Sequence, residues 1–408
     1  MPSQPDTPEP DAPKFDPAAC RNTLFGALLQ AARTHGGGKE ILEDIERQPM
    51  SYNRLILASL VLGGKLAAMS RRGEAVGVLL PNVAGLCAVI FGLNAYGRVP
   101  AMLNFSAGAK NLSSALTTGV ISTVITSRRF IKTAGLEDVI AALEQTEGVA
   151  GKKTTIIYLE DVRKRIGVKD KVAGLVKSRL AASVHKRHGS GPDDPAVILF
   201  TSGTEGAPKG VVLSNANLVA NAGQIFAHTK GRFTTEDVVL NPLPMFHSFG
   251  LTAGTLMPLL NGMKVVLYPS PLHYKEVPKL IGATQATIVF GTDSFAQGYA
   301  RAGAPGDLDS VRYMVCGAEK VKDKTRKLWA TTGTMLLEGY GATECAPVVA
   351  CNTPDACKEG TVGPVLPGIE LRVEPVPGIN EGGQLFVKGP NVMCGYMFAS
   401  APGKIVPP

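Results

Sequence analysis

Residues 196–213 read AVILFTSGTEGAPKGVVL, an apolar run, then a stretch dense in hydroxyls and glycine, then apolar chain again. Chemistry concentrates at its centre. Gly203, Gly206 and Gly210 let the backbone turn with its N–H groups pointing inward, because a residue without Cβ reaches angles closed to the others. Thr201, Ser202 and Thr204 add hydroxyl donors, and Lys209 adds a positive charge. Such a lining suits a polyphosphate. A hydrogen bond to a charged group contributes about 1.5–3 kcal/mol, so three or four suffice to hold the outer phosphates of a nucleotide.

The rival phosphate cradle, the Walker A loop, needs GxxxxGK followed by Ser or Thr. From Gly203 this chain runs GTEGAPKG, with proline before the lysine and glycine after it, which argues against a P-loop NTPase or kinase. The plain alternative is a surface loop that happens to be rich in glycine and threonine. Against that alternative, TSGTEGAPKG resembles the signature of the adenylate-forming superfamily of acyl-CoA synthetases, luciferases and peptide-synthetase adenylation domains. Other segments are similar to the family's motifs in the same order: MSYNRLILASLVLGGKLA and LPNVAGLCAVIFGLNAYGRVPAMLN early, then LPMFHSFG, GYGATE and GQLFVKGPNVMCGY. The resemblance covers roughly residues 20–397, and ordered, independent motifs make coincidence a poor account of it.

The resemblance implies ATP and Mg²⁺ as cofactors and extends the phosphate loop through Glu205. In LLEGYGATE, residues 336–344, it implies that Tyr340 stacks on adenine beside Gly341, Thr343 touches the α-phosphate and Glu344 holds Mg²⁺, with Thr201 reaching the metal through phosphate. A flat ring suits a purine face, and a hard carboxylate suits magnesium already bridging phosphates. Gly317, Ala318 and Glu319 resemble the segment at the adenine edge. His247, inside PMFHSFG, lies in the family between the carboxylate and the acyl pocket, where it orients the substrate or gates the tunnel; a satisfied core histidine remains the alternative.

Within the superfamily, the run LPMFHSFGLTAGTLMPLLNGMKVVLYPSPLHYKEVPKLI, with FGTDSFAQGYAR, GAEK and LEGYGATECAPVV, is most similar to the acyl-carrier-protein synthetase domain of bacterial 2-acylglycerophosphoethanolamine acyltransferases. That resemblance implies a long-chain fatty acid activated as acyl-AMP and passed to an acidic acyl carrier protein, feeding phospholipid metabolism. The alternatives are an acyl-CoA synthetase, or lysophospholipid acyl transfer by a fused domain. Acyl transfer by this chain itself would call for an HxxxxD pair, and neither His247 nor His273 has Asp five residues on. The family's ribose-binding aspartate, hinge and small C-terminal domain with its catalytic lysine are not found before Pro408, so the expectation is a large domain that binds ATP and adenylates slowly alone.

The elements that must position these residues follow from hydrophobic period. Helix spacing marks 24–32 and 54–69. Short apolar runs at 75–80, 122–126, 154–159, 196–201, 264–268, 286–290 and 311–315 alternate with helical stretches, which predicts an α/β fold with largely parallel strands. By resemblance this is the large-domain fold of two stacked α/β sheet layers with a small β-barrel-like sub-domain. The expected organisation is a disordered, proline-rich leader over 1–19, intertwined α/β sub-domains over 20–365, a small β-rich sub-domain over 366–398 and a truncated tail over 399–408.

Hydrophobic residues at 45 % and charged residues at 19 % exclude a disordered chain. The longest apolar stretch, 83–96, falls short of the roughly 20 residues of a spanning helix. Seven cysteines without a CxxC pair point away from zinc and toward a reducing cytoplasm. Residues 152–188 hold eleven Lys or Arg against three acidic residues, as much as the whole net charge of +8. Within them Val168, Val172, Leu175 and Val176 share one helical face. This segment is read either as a solvated helix or as a surface that steers an acidic carrier protein or the inner face of the cell membrane. Nucleic acid is not expected, because no nucleic-acid module accompanies the charge.

Overall fold

The structure is a computed structural model of the 408-residue chain, and it describes residues 13–146, 153–201, 207–379 and 381–408. Its strands are, in chain order, β1 (Glu40–Glu43), β2 (Met50–Ser51), β3 (Ala75–Val78), β4 (Val99–Met102), β5 (Thr123–Thr126) and β6 (Thr155–Tyr158). There follow β7 (Pro195–Thr201), β8 (Lys209–Ser214), β9 (Val238–Asn241), β10 (Lys264–Leu267), β11 (Ile288–Gly291) and β12 (Tyr313–Cys316). The last are β13 (Met335–Gly341), β14 (Val348–Cys351), β15 (Glu370–Glu374), β16 (Gln384–Lys388), β17 (Gly395–Phe398) and β18 (Ala401–Val406).

Two eight-stranded mixed sheets carry the fold. One runs β14-β13-β12-β11-β9-β10-β1-β2 and the other β18-β17-β8-β7-β4-β3-β5-β6. Both sheets mix directions: their central pairs and the terminal pair β5–β6 are parallel, while β7 pairs β8, β8 pairs β17, and β13 pairs β14 in opposite directions. Strand side chains alternate between faces, and the core records it. Val239, Val265, Leu267 and Ile288 join a central cluster, while Leu240, Val266 and Val289 join a separate one on the other face of the same sheet. In the second sheet Val197 and Leu199 face the central cluster and Ile198 faces a third.

The helices Leu24–His35, Tyr52–Ala67 and Ala84–Ala95 contribute to the central cluster. Thr23 and Ser51 cap the first two through their side-chain oxygens, which accept from the N–H groups of Gly26 and Arg54. Ala84–Ala95 is apolar on nearly every side and is buried on nearly every side. It packs on Tyr52–Ala67 at a point where Gly63 meets Gly92, so closely that a Cβ on Gly63 would lie 2.4 Å from the Gly92 carbonyl oxygen.

The α/β fold with two stacked sheets is therefore present, but the expected small barrel is not. No closed barrel forms among the described residues. β15 and β16 make a separate two-stranded hairpin, whereas β17 and β18 extend the second sheet. Pro and Gly punctuation suggests an independent unit, but the pairing of Gly395–Met397 with Gly210–Val212 is non-local and leaves no periodic trace. Residues 399–408, expected as a tail, include β18. Of the expected leader, residues 1–12 lie outside the described residues, while the Phe15 ring rests near Gly223 and Gly368.

The helix crossing supplies a stability test. Gly63→Ala should cost about 1–3 kcal/mol in a denaturant titration, because backbone rather than a flexible side chain blocks the new methyl group. Gly85→Ala, where only Val83 lies within reach of the added Cβ, should stay within about 0.5 kcal/mol. Matching midpoints for the two variants would remove the close approach as the reason for glycine at 63.

Candidate functional site

The sheet geometry fixes both ends of the glycine-rich loop. β7 finishes at Thr201 and β8 begins at Lys209, and these two residues are partners across the antiparallel ladder. Ser202, Gly203, Thr204, Glu205 and Gly206 lie outside the described residues. Thr201 Oγ1 is buried and makes no hydrogen bond among the described residues. It helps to line a cavity of about 390 Å³ with Pro208, Asn104, Asn111 and His247.

Lys209 reaches across to the other sheet. Its Nζ lies 3.2 Å from Oε1 of Glu344, in the turn after β13, and 4.0 Å from the centre of the Tyr396 ring. The Tyr396 hydroxyl donates to the same carboxylate oxygen at 2.8 Å. Burial alone would raise the Glu344 carboxyl, but the bond from Tyr396, its own N–H and Lys209 together hold it below the usual carboxylate range. Burial likewise pulls Lys209 down, and Tyr396 and Glu344 more than reverse this. Both groups are therefore charged at neutral pH.

A larger cavity of about 740 Å³ opens beside this bridge. Its lining includes Gly317 and Ala318 after β12 and Gly339 to Thr343 at the end of β13. Its apolar lining includes Ile225, Phe233, Leu243, Phe249, Phe290, Leu337 and Leu366. Not one Asp, Glu, Lys or Arg lines it among the described residues. Tyr340 is 43 % exposed, a flat face open to the cavity end. Gly341 has no room for a side chain, since an added Cβ would meet the Pro347 oxygen at 2.3 Å. Ala318 has φ +65°, a left-handed backbone that turns the chain at the strand end. Glu319, by contrast, accepts a bond of 2.8 Å from Ser294 and is not part of the lining.

His247 borders both cavities. Although its ring is open to these hollows, the protein packed around it pushes its pKa below the ordinary histidine value, with no charged partner contributing. The imidazole is neutral at pH 7. Two asparagines hold the loop that carries it. Asn82 donates to the Leu243 carbonyl and accepts from Met245 N–H at 3.0 Å. Asn241 donates to the Gly250 carbonyl and to Thr255 Oγ1, each at 2.9 Å, and so pins the π-helix Phe249–Leu256 that follows. Irregular helix of this type often marks functional sites. Ser248 meets Thr343 at 3.4 Å, which links the loop to the turn bearing Glu344.

Of the residues singled out in sequence, the structure brings Gly317, Ala318, Tyr340, Gly341, Thr343 and His247 to one cavity, Thr201 to the adjoining one, and Lys209 onto Glu344. Asn82, Asn241 and Tyr396 were missed. Each is a single polar residue in an apolar setting, and only its bond to a distant backbone or carboxylate reveals its part.

A family model described as AMP-binding enzyme matches residues 28–397. The chain belongs to that family. The AMP-binding chain is 27 % identical over 354 residues to a long-chain-fatty-acid–CoA ligase of Salmonella typhimurium, which covers 80 % of the chain and 62 % of the relative. It is 29 % identical over 342 residues to a feruloyl-CoA synthase of Amycolatopsis sp, covering 82 % and 63 %. The chain thus spans about three fifths of the length of these curated relatives. In fold it is similar to the N-terminal domain of FACL13 from Mycobacterium tuberculosis, with TM-score 0.77 at 22 % identity over 92 % of this chain and 91 % of that one. A long-chain-fatty-acid-CoA ligase, FadD1, from Archaeoglobus fulgidus gives TM-score 0.73 at 22 % identity over 92 % and 76 %.

The residues present fit a nucleotide with a magnesium ion. Thr201 keeps a buried hydroxyl without a partner among the described residues, at the foot of the glycine-rich loop. Among those residues no cluster of three or more acidic, histidine or cysteine side chains forms a cage. Magnesium takes one or two carboxylates and otherwise keeps phosphate and water ligands. Glu344 is the carboxylate at hand. Glu344→Gln should weaken ATP binding roughly tenfold in the presence of Mg²⁺ and leave Mg²⁺-free binding almost unchanged, whereas Lys177→Ala should alter neither. Calorimetric titrations with and without the metal read the difference, and equal losses for both variants would dismiss Glu344 as a ligand.

Proposed function

We propose that this chain is the nucleotide- and acyl-binding part of an ATP-dependent acid–thiol ligase. Its carboxylic acid substrate, a long-chain fatty acid, attacks the α-phosphate of ATP and leaves as acyl-AMP while pyrophosphate is released. The observation that carries this reading is the cavity of about 740 Å³, which joins the polar turn Gly339 to Thr343 to an apolar wall without one charged side chain among the described residues. A methylene chain gains from such a wall about 0.8 kcal/mol per buried CH₂.

In this reading the loop from Thr201 to Lys209 cradles the outer phosphates, Tyr340 stacks on adenine, Thr343 meets the α-phosphate and Glu344 takes Mg²⁺. The neutral His247 orients the carboxylate at the meeting of the two cavities. Glu319 has the weakest claim to nucleotide contact, because Ser294 occupies its carboxylate. The named relatives are CoA ligases or synthases, which favours coenzyme A as the thiol acceptor. An acidic acyl carrier protein, with a route into phospholipid acylation, is the second reading and draws on the net charge of +8. A reducing cytoplasmic setting is proposed from seven cysteines that remain unpaired.

The test is calorimetric titration with a hydrolysis-resistant acyl-AMP mimic carrying a palmitoyl or an acetyl group. The long chain should raise affinity roughly 100-fold or more. Equal affinity for the two would rule out a fatty substrate, and binding of neither would rule out adenylate chemistry at this site.

A further inference from the structure

The helix Val168–Arg179 carries its large aliphatic residues on the wrong side for a helix packed on a protein. At about 100° per residue, Val168, Val172, Leu175 and Val176 fall within an arc of about 100°. That arc would ordinarily turn toward the core. Here it turns outward: these four residues and the following Leu180 are 53–76 % exposed. The face toward the protein is formed instead by Gly174, Asp170 and Lys177. An added Cβ on Gly174 would lie 2.3 Å from Val61 Cγ2, so the helix is seated as close to Tyr52–Ala67 as its backbone allows. Asp170 pairs with Lys65 at 2.7 Å, and Lys177 sits 3.4 Å from the Tyr96 hydroxyl. The orientation is thus fixed by specific inner contacts, and the aliphatic stripe is left over.

Charge surrounds that stripe. Lys169 and Lys171 flank it, Arg179 stands within it, and Lys186 and Arg187 follow on the next helix, Ala181–His188; all five are exposed. Among the described residues none of the five forms an ion pair. The three acidic residues of the segment are engaged outside it: Glu160 with Ser127 at 2.9 Å, Asp161 with Arg128 at 2.7 Å, and Asp170 with Lys65. The basic charge of the surface therefore stands uncompensated.

We propose that this helix is a docking element for an anionic lipid surface, lying flat with Val168, Val172, Leu175, Val176 and Leu180 in the interfacial layer and the cations at the headgroups. An exposed aliphatic stripe flanked by lysine and arginine combines the two attractions that interfacial binding uses, apolar burial and charge. A protein partner fits less well, because protein interfaces concentrate their energy in aromatic residues and arginine, and leucine and valine are under-represented there. The stripe contains no aromatic residue. The inference is independent of which acid or acceptor the cavity takes.

Co-sedimentation of the full chain with vesicles tests it. Vesicles of phosphatidylglycerol and phosphatidylcholine in equal parts should bind the chain roughly tenfold or more tightly than phosphatidylcholine alone. Val172→Asp with Leu175→Asp should lower partitioning to the anionic vesicles roughly tenfold, as should Lys169→Glu with Lys171→Glu. Both double variants alter exposed side chains and should keep the wild-type denaturation midpoint and ATP affinity. Val373→Asp, which removes an exposed valine on β15, should bind vesicles like the wild type. Unchanged partitioning of the Val172/Leu175 variant overturns the proposal. So does a chain that ignores anionic vesicles but binds an acidic carrier protein through the same residues, since that result would assign the stripe to protein recognition.

Discussion

The contact on which the site depends is the bridge from Lys209 and Tyr396 to Glu344. β8 and β17, which carry Lys209 and Tyr396, belong to one sheet, and Glu344 follows β13 of the other. A small movement between the sheets would separate the foot of the glycine-rich loop from the carboxylate. Uncharged bonds reinforce the same seam. Met393 N–H donates to the Glu344 carbonyl at 2.8 Å, Asn391 donates to the Cys345 carbonyl at 2.6 Å, and Asn221 both donates to and accepts from the Val348 backbone. A polar network held on several sides positions its members more sharply than an isolated ion pair does.

This seam also explains what was legible in the sequence. Strand β7 and the loop ends at Thr201 and Lys209 could be read because a continuous apolar run stops where hydroxyls and glycines begin. The strand at 264–267 stands where a short apolar run placed it. Non-local pairing could not be read. Nothing near Gly395 announces that β17 will lie beside β8, so the β-barrel-like sub-domain that the resemblance implied gives way to strands that extend the second sheet. For the same reason Tyr396 escaped notice as the donor to Glu344. Asn82 and Asn241 carry no spacing signal at all, yet they hold the loop of His247 from opposite sides. Periodicity also gives the existence of a helical face without its direction: Val168, Val172, Leu175 and Val176 do share one face, and contacts made by Gly174 and Asp170 on the other side decide that it points outward.

Charge is segregated around the cavity in a way that dictates how an amphiphile must enter. The Lys209–Glu344 bridge lies beside the cavity, and no Asp, Glu, Lys or Arg lines it among the described residues. A carboxylate pushed in among Phe233, Leu243 and Phe290 would lose its hydration and meet no Lys or Arg in the lining among the described residues, at a cost of several kcal/mol. Each methylene in the same place would instead gain about 0.8 kcal/mol. The two terms oppose each other only if the molecule enters head first; tail first, both favour the same pose, with the polar head left near Thr343 and His247. The neutral state of His247 strengthens this preference, because an imidazolium at the junction would attract anions into the throat, whereas a neutral ring offers at most one hydrogen bond at its edge. Orientation at this site therefore follows from where charge is excluded as much as from where it is placed.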